Sequence, residues 1–198
     1  TLRRYFILTT KKCRIYAAFG VSQTPMYEQK RKERILMLEQ WIKENANMKD
    51  RGSVAVINDD VWILPPRCFS NMPGLKKVIL PYNLRKIGAF SFAGCRSLEV
   101  IDIPRQVVLI DYGAFYGCCS LKAINLLDRV VGIGSMAFAG TNLSTITLPK
   151  SVRYIDDGAF ADCPRINQIS LPENLYDIPY EKRSMIFVSN PDIIPSCD

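Results

Sequence analysis

The stretch IGAFSFAGCRSLEVIDIP, residues 87–104, decides the fold because three later stretches repeat its pattern. Residues 110–126 read IDYGAFYGCCSLKAINL, residues 133–149 read IGSMAFAGTNLSTITLP, and residues 155–172 read IDDGAFADCPRINQISLP. A first, degenerate copy begins at Leu64. A period in the twenties, with one supersecondary unit in each repeat, predicts a solenoid. The leading aliphatic residues, spaced by 23, 23, 23 and 22 positions, are Leu64, Ile87, Ile110, Ile133 and Ile155.

Each coil contains one large aromatic side chain and one short strand pattern. The second half of the coil reads L-x-x-I-x-L, and alternating apolar residues of this kind predict a strand with one buried face. A proline follows in most coils and ends the strand without having to donate a backbone hydrogen bond. Because one coil cannot bury its apolar side alone, we expect stacked coils whose parallel strands share a continuous core. The aromatic residues predicted to fill that core are Phe69, Phe92, Phe115, Phe138 and Phe160.

The repeat I-G-x-x-A-F-x-G-C-x-x-L-x-x-I-x-L-P-x-x-V over residues 64–177 resembles the BspA-like (treponemal-type) class of leucine-rich repeat. The resemblance implies a leucine-rich-repeat-like stack of about five coils of 22–23 residues, with a parallel β-sheet face that lines a protein-binding surface. Two coils depart from the pattern. The third has Leu127 where proline is usual, and the fourth lacks one residue and has Thr141-Asn142 where Gly-Cys is expected.

The net charge of +7 is confined to the first quarter of the chain. Residues 1–52 hold 12 basic and 5 acidic side chains, whereas residues 53–198 hold 14 of each. Thr24 is a candidate N-cap with Pro25 at the first helical position, and the residues that follow have an apolar face suited to closing the end of the core. The chain therefore divides into a basic arm, extended or hairpin (1–24), an N-terminal α-helix (25–52), a capping half-coil (53–63), the solenoid (64–177) and a C-terminal cap or tail (178–198).

The predicted binding surface is the outward face of the strand column. In an I-x-L strand the residues between the buried ones point outward, and here most of them are small and uncharged. A cluster of apolar residues at one end favours contact with a protein, because exposed apolar patches usually mark contacts. We therefore expect a non-enzymatic protein–protein interaction module that binds through Lys77, Ile79, Val100, Asp102, Ala123, Asn125, Thr145, Thr147, Gln168 and Ser170.

The basic N-terminal region supports an alternative function. Cationic side chains interleaved with aromatic ones suit phosphate contacts and stacking on bases, although an acidic protein groove would serve as well. In this alternative the chain is a structural subunit of a large assembly, possibly a ribonucleoprotein, anchored by residues 1–52. The residues predicted to contact RNA, another polyanion or an acidic partner are Arg3, Arg4, Tyr5, Lys11, Lys12, Arg14, Lys30, Arg31 and Lys32.

The composition argues against catalysis. The chain contains no histidine, which removes the commonest general base and metal ligand. Cys95, Cys118 and Cys163 recur at one coil position, and we expect them to be reduced core residues. We expect no metal, cofactor or small-molecule substrate. No apolar run is long enough for a membrane span, and an intracellular or organellar location is favoured over a secreted one because no secretory signal is seen.

Overall fold

The computed structural model describes residues 25–175. The predicted arm (1–24), residues 176 and 177 of the predicted solenoid, and the whole predicted C-terminal cap or tail (178–198) lie outside this range. Helix α1 (Pro25–Asn45) precedes a series of short strands, with single 3-10 turns at Asp50–Gly52 and Glu173–Leu175. The strands are β1 (Ala46–Lys49), β2 (Val54–Ile57), β3 (Ile63–Leu64), β4 (Lys77–Ile79), β5 (Lys86–Ile87), β6 (Val100–Ile101), β7 (Leu109–Ile110), β8 (Gly132–Ile133), β9 (Thr145–Thr147), β10 (Tyr154–Ile155) and β11 (Gln168–Ser170).

The strands form two columns, one on each side of a shared core. Sheet A has the order β1-β2-β4-β6, and the pair β9-β11 continues its side of the stack. Sheet B has the order β3-β5-β7-β8-β10 and runs through all five coils. Every pairing between coils is parallel, and the β1–β2 pairing is antiparallel. The predicted solenoid of about five coils with a parallel sheet face and an N-terminal helix is confirmed.

A column of phenylalanine rings fills the centre of the stack. Phe92, Phe115 and Phe138 are fully buried, and successive ring centroids are 5.3 Å apart. The first ring, Phe69, is 5.5 Å from Phe92, and Phe160 extends the column at 5.4 Å from Phe138. The rings are nearly parallel, so each coil presents the same flat surface to the next. Phenylalanines that recur once in each repeat of the sequence thus stack on one another in the folded protein.

A second column, of thiols, fixes the coil backbones to one another. The Cys95 thiol donates to the Phe69 carbonyl oxygen at 3.0 Å, and the Cys118 thiol donates to the Phe92 carbonyl oxygen at 3.1 Å. Cys163 repeats the contact with Phe138 at 3.2 Å. In the fourth coil the buried Thr141 occupies this column. The aligned positions are therefore Gly140 and Thr141, and the alignment of Thr141-Asn142 with Gly-Cys is wrong.

Two left-handed backbone positions shape the first turn of every coil. At the first of these positions the second coil has Phe90 (φ 56°) and the fourth coil has Met136 (φ 54°), both bulky residues. The third coil has Gly113 at the same position. A β-carbon added at Gly113 would lie 2.6 Å from the Phe90 ring, so packing as well as backbone conformation favours glycine there. The second position holds Asn71, Gly94, Gly117, Gly140 and Asp162, residue types that tolerate this conformation best.

The strand column of sheet A is interrupted at the third coil. The prediction of a strand at Ala123–Asn125 is wrong, because residues 119–128 contain no strand and β6 does not pair onward. Two departures from the repeat coincide here: Leu127 replaces the usual proline, and the next coil is one residue short. We attribute the break to these changes, which displace the backbone from the register that both neighbouring coils require.

The N-terminal helix closes one end of the core. Ile42 is buried, and the Trp41 ring meets Phe69 edge-on at 6.2 Å, so α1 covers the first ring of the column. The helix ends at Asn45, although the sequence assigned residues 25–52 to it. Asparagine favours helix ends, since its side chain competes for backbone hydrogen bonds, and the Asn45 amide donates to the Trp41 carbonyl oxygen. The next four residues gain pairing with β2 instead.

Candidate interaction surface

On the sheet A side of the stack, which comprises sheet A and the pair β9–β11, exposed and buried residues alternate along the strands. In β4, Lys77 and Ile79 are exposed and Val78 between them is buried. In β9, Thr145 and Thr147 are exposed on either side of a buried isoleucine. The buried residues hold each strand on the core, so the residues between them are presented on a fixed backbone. These four residues are exposed, and the binding role predicted for them stays a prediction.

The N-terminal end of this face is apolar. Ile79 is 46% exposed and Val100 is 52% exposed. The register places Val56 beside Ile79, Val54 beside Lys77, and Lys77 beside Val100. Four aliphatic residues thus lie at neighbouring register positions around one lysine on three adjacent strands. We call this group, consisting of Val54, Val56, Ile79 and Val100, the apolar patch.

The sequence prediction missed half of the apolar patch. Val54 and Val56 were assigned to a capping half-coil, and both are half-buried in β2, which pairs in parallel with β4. The alternation in Ser53-Val54-Ala55-Val56-Ile57 could have revealed them, because it is the same one-face-buried pattern as in the later strands. Strand β2 therefore extends the outward face of sheet A by one strand.

The rest of the predicted face is polar and not continuous. Asp102, Ala123 and Asn125 are exposed, but the last two lie in the interruption of sheet A. Beyond it, β9 and β11 pair in register, with Thr145 opposite Gln168 and Thr147 opposite Ser170. The structure therefore separates the predicted site into an apolar N-terminal part and a small, hydroxyl-bearing C-terminal part.

The predicted polyanion contacts are only partly covered by the structure. Lys30 and Lys32 are exposed on α1, and Arg31 lies 3.5 Å from the Glu28 carboxylate in an ion pair. The other six predicted residues, Arg3, Arg4, Tyr5, Lys11, Lys12 and Arg14, lie outside the described residues.

Four of the five described cysteines are buried packing residues, and the fifth, Cys119, is exposed. Burial raises the pKa of the Cys68 and Cys95 thiols to about 12, and it also raises the pKa of Cys118 and Cys163. A thiol that stays protonated is a poor nucleophile. Cys119 is exposed, and its neighbour Cys118 is buried, so the adjacent pair points in two directions. Residues 25–175 contain no cluster of three or more acidic or cysteine side chains able to hold a metal.

The sequence matches the model of a known repeat family, and the fold matches solved structures. A family model described as BspA type Leucine rich repeat region matches residues 62–185 in 6 copies. No curated protein sequence matches the chain. Within the part that the structure describes, no helix combines the length and the apolar character needed to cross a membrane.

Solved structures with this fold include a Treponema pallidum leucine rich repeat protein, 26% identical with a TM-score of 0.57, where the match covers 65% of this chain and 68% of that one. A Bacteroides ovatus leucine-rich repeat protein is 27% identical with a TM-score of 0.54. The match covers 65% of this chain and only 39% of the Bacteroides protein. The pneumococcal vaccine antigen PcpA is 25% identical with a TM-score of 0.54, over 64% of this chain and 34% of that one.

Proposed function

Because the chain belongs to the BspA type leucine rich repeat family, we propose that it is a non-enzymatic module that binds a protein partner through the outward face of sheet A and of the pair β9–β11. Repeats of this family commonly mediate protein interaction. We propose which residues of this chain contact the protein partner. The main contact is assigned to the apolar patch and the orienting contacts to the polar residues of β9 and β11.

The apolar patch is the observation that carries this function. Ile79 and Val100 expose about half of their surface on strands whose neighbouring residues are anchored in the core. Burying such side chains against a partner stabilises a complex in proportion to the apolar area removed from water. The cost in conformational entropy is small because β-branched side chains on a sheet are already restricted. A rigid, β-branched surface is therefore well prepared for a contact.

The charge of the face predicts how binding responds to salt. Lys77 and Asp102 are its charged members, and they carry opposite signs. Contacts made through uncharged aliphatic and hydroxyl groups are little affected by screening. We expect the affinity for the partner to change less than threefold between about 0.05 and 0.5 M salt.

The test is an affinity capture with the full chain as bait, followed by direct titration of the purified partner. Ile79→Arg with Val100→Arg should remove binding, because each central apolar contact contributes about 2 kcal/mol or more when it is a hot spot. Two such losses correspond to roughly a thousandfold weaker binding. The matched control is Leu36→Arg with Tyr116→Arg, which adds the same charge at exposed apolar residues off sheet A.

Three results separate this function from the alternatives. Retention of the partner by the Ile79/Val100 variant, with its unfolding transition unchanged, would contradict binding through the apolar patch. Equal loss in the control would mean that added charge alone prevents association. Loss of the partner on removing residues 1–20, together with a steep salt dependence, would favour a structural subunit anchored by its basic arm.

A further inference from the structure

The charges of the solenoid are segregated to one edge. Each of the first four coils passes from the sheet A side to sheet B through a short connection, at residues 81–86, 104–109, 127–132 and 149–154. These connections hold six cationic residues and one acidic residue, a net charge of +5. The five opposite turns, between sheet B and the sheet A side, are 65–76, 88–99, 111–122, 134–144 and 156–167. They hold five cationic and five acidic residues.

Most of the cations on this edge have no acidic partner among residues 25–175. Lys86 forms an ion pair with Asp111 at 2.8 Å. The other five are exposed, and within residues 25–175 none of them makes an ion pair. Because coils stack at the 5.3–5.5 Å spacing of the phenylalanine rings, these cations form a row along the solenoid. We call this row the basic edge; its members are Arg85, Arg105, Arg129, Lys150 and Arg153.

Exposed aromatic rings accompany the basic edge. Trp62 is 54% exposed, and the Arg85 guanidinium lies 5.2 Å from its ring centroid. Tyr82 is 65% exposed, and its hydroxyl accepts a hydrogen bond from Gln106 at 3.3 Å. Gln106 in turn accepts a hydrogen bond from Arg129 at 2.8 Å, so two neighbouring contacts place this ring within the row.

A third ring lies at the end of the row. Tyr154 is 45% exposed and directly follows Arg153 in the chain. Its ring covers Gly132, where a β-carbon would overlap it. Each of the three exposed rings is therefore next to an arginine or linked to one through a single side chain.

We propose that the basic edge binds a single-stranded nucleic acid. Guanidinium groups pair with phosphates through parallel hydrogen bonds, and aromatic side chains provide stacking surfaces for bases in proteins that bind single strands. The combination distinguishes this ligand from an acidic polypeptide, which would use the cations but gain little from the rings. The proposed surface shares no residue with the apolar patch, so either function can fail without the other.

The test uses the full chain and a fluorescein-labelled single-stranded RNA of 15 nucleotides and mixed sequence. Arg105→Gln, Arg129→Gln and Lys150→Gln together should weaken binding roughly a hundredfold at 0.1 M salt, since each phosphate contact contributes about 0.7 to the slope of log K against log salt. The slope itself should fall by about 2. The basic N-terminal region is retained in every variant and therefore does not account for a difference between them.

A matched control removes the same charge from the opposite turns. Arg96→Gln, Lys122→Gln and Arg165→Gln change three exposed cations outside the basic edge. This variant should lose less than threefold in affinity. An equal loss in the two triple variants would overturn the proposal, because net charge and not the row would then determine binding. Unchanged circular dichroism and unfolding midpoints show that all variants keep the fold.

The aromatic contribution is tested separately with Tyr82→Ala. Removing one stacking surface should weaken RNA binding at least fivefold, and the loss should persist at high salt. Poly-glutamate is the competitor that represents an acidic polypeptide, and it should displace the RNA poorly. Displacement by poly-glutamate at an equal concentration of charge, with no effect of Tyr82→Ala, would overturn the proposal in favour of an acidic protein ligand.

Discussion

Truncating one ring in the phenylalanine column should destabilise the whole solenoid. Phe115 is fully buried, with Phe92 and Phe138 stacked on its two sides at 5.3 Å each. Replacing a buried phenylalanine by alanine typically costs about 3–5 kcal/mol. Since two stacked rings lose their partner, the cost of Phe115→Ala in unfolding free energy should lie near the upper end of this range, at about 4–5 kcal/mol. That is a large part of the roughly 5–15 kcal/mol that stabilises a typical domain.

Phe115→Leu isolates the stacking contribution. Leucine keeps most of the apolar volume but presents no flat face, so the loss should be about 1–3 kcal/mol, from two aromatic contacts of about 0.5–1.5 kcal/mol each. The measurement is urea unfolding followed by circular dichroism, with linear extrapolation of the unfolding free energy to zero denaturant. Leu36→Ala, at a helix residue that is 66% exposed, is the control and should stay within about 0.5 kcal/mol of wild type.

Two results would refute this reasoning. The first is a cost below about 2 kcal/mol for Phe115→Ala, which would mean that the coils collapse around a missing ring. The second is a leucine variant as stable as wild type, which would mean that volume and not ring stacking determines the energy. A change in the denaturant slope would indicate that the coils no longer unfold as one unit.

Three further predictions use thiols, a turn glycine and an ion pair. In a variant with Cys13 and Cys197 replaced by serine, Cys119 should be the one cysteine of the folded protein that reacts with a thiol reagent. All five remaining cysteines should react after unfolding. Rapid reaction of a second cysteine in the folded protein would contradict the buried column. Stability should also fall as the pH rises from 9 toward about 12, because the unfolded thiols ionise first. Gly113→Ala should cost about 1–3 kcal/mol in the urea series, since φ is 56° and Phe90 blocks the added methyl group, and an unchanged midpoint would contradict this. Burial opposes ionisation of Asp111, but hydrogen bonds from Lys86 and the Tyr112 amide outweigh it and lower its pKa; stability from this carboxylate is therefore present above pH ~4 and lost below it. Asp111→Asn should reduce the loss of unfolding free energy at acid pH by at most about 1 kcal/mol, because the ion pair between Asp111 and Lys86 is partly exposed.

The repeat of the sequence was sufficient to predict the coil core. A period of 23 residues fixes which side chain of one coil lies on which side chain of the next, so the column from Phe69 to Phe160 could be inferred before any distance was known. The outward position of Ile79 and Val100 followed from the same alternation. These features depend on periodicity alone, and that is why they were predictable.

Features that depend on departures from the periodicity were not predictable in the same way. Strand β1 forms by pairing with β2 in an antiparallel arrangement that no repeat encodes. The loss of the strand at Ala123–Asn125 results from register between three coils, and a pattern within one coil cannot express it. The basic edge was hidden for another reason. The charges after residue 52 sum to zero, and their separation appears only when residues are sorted by their place around the coil.

The unequal continuity of the two sheets has a mechanical consequence. Sheet B links all five coils through strand pairing, whereas on the sheet A side the pairing stops at β6, and the third coil is joined to the fourth by hydrogen bonds from the Asn142 and Ser144 amides to the Leu121 and Lys122 carbonyl oxygens. A solenoid that is hydrogen-bonded continuously along one side bends most easily where the strand pairing on its other side is interrupted. Bending of this solenoid should therefore occur as a hinge at residues 119–128, while the strand pairing of sheet B stays intact. Such a hinge would change the angle between the apolar patch and the threonines of β9 without breaking either surface.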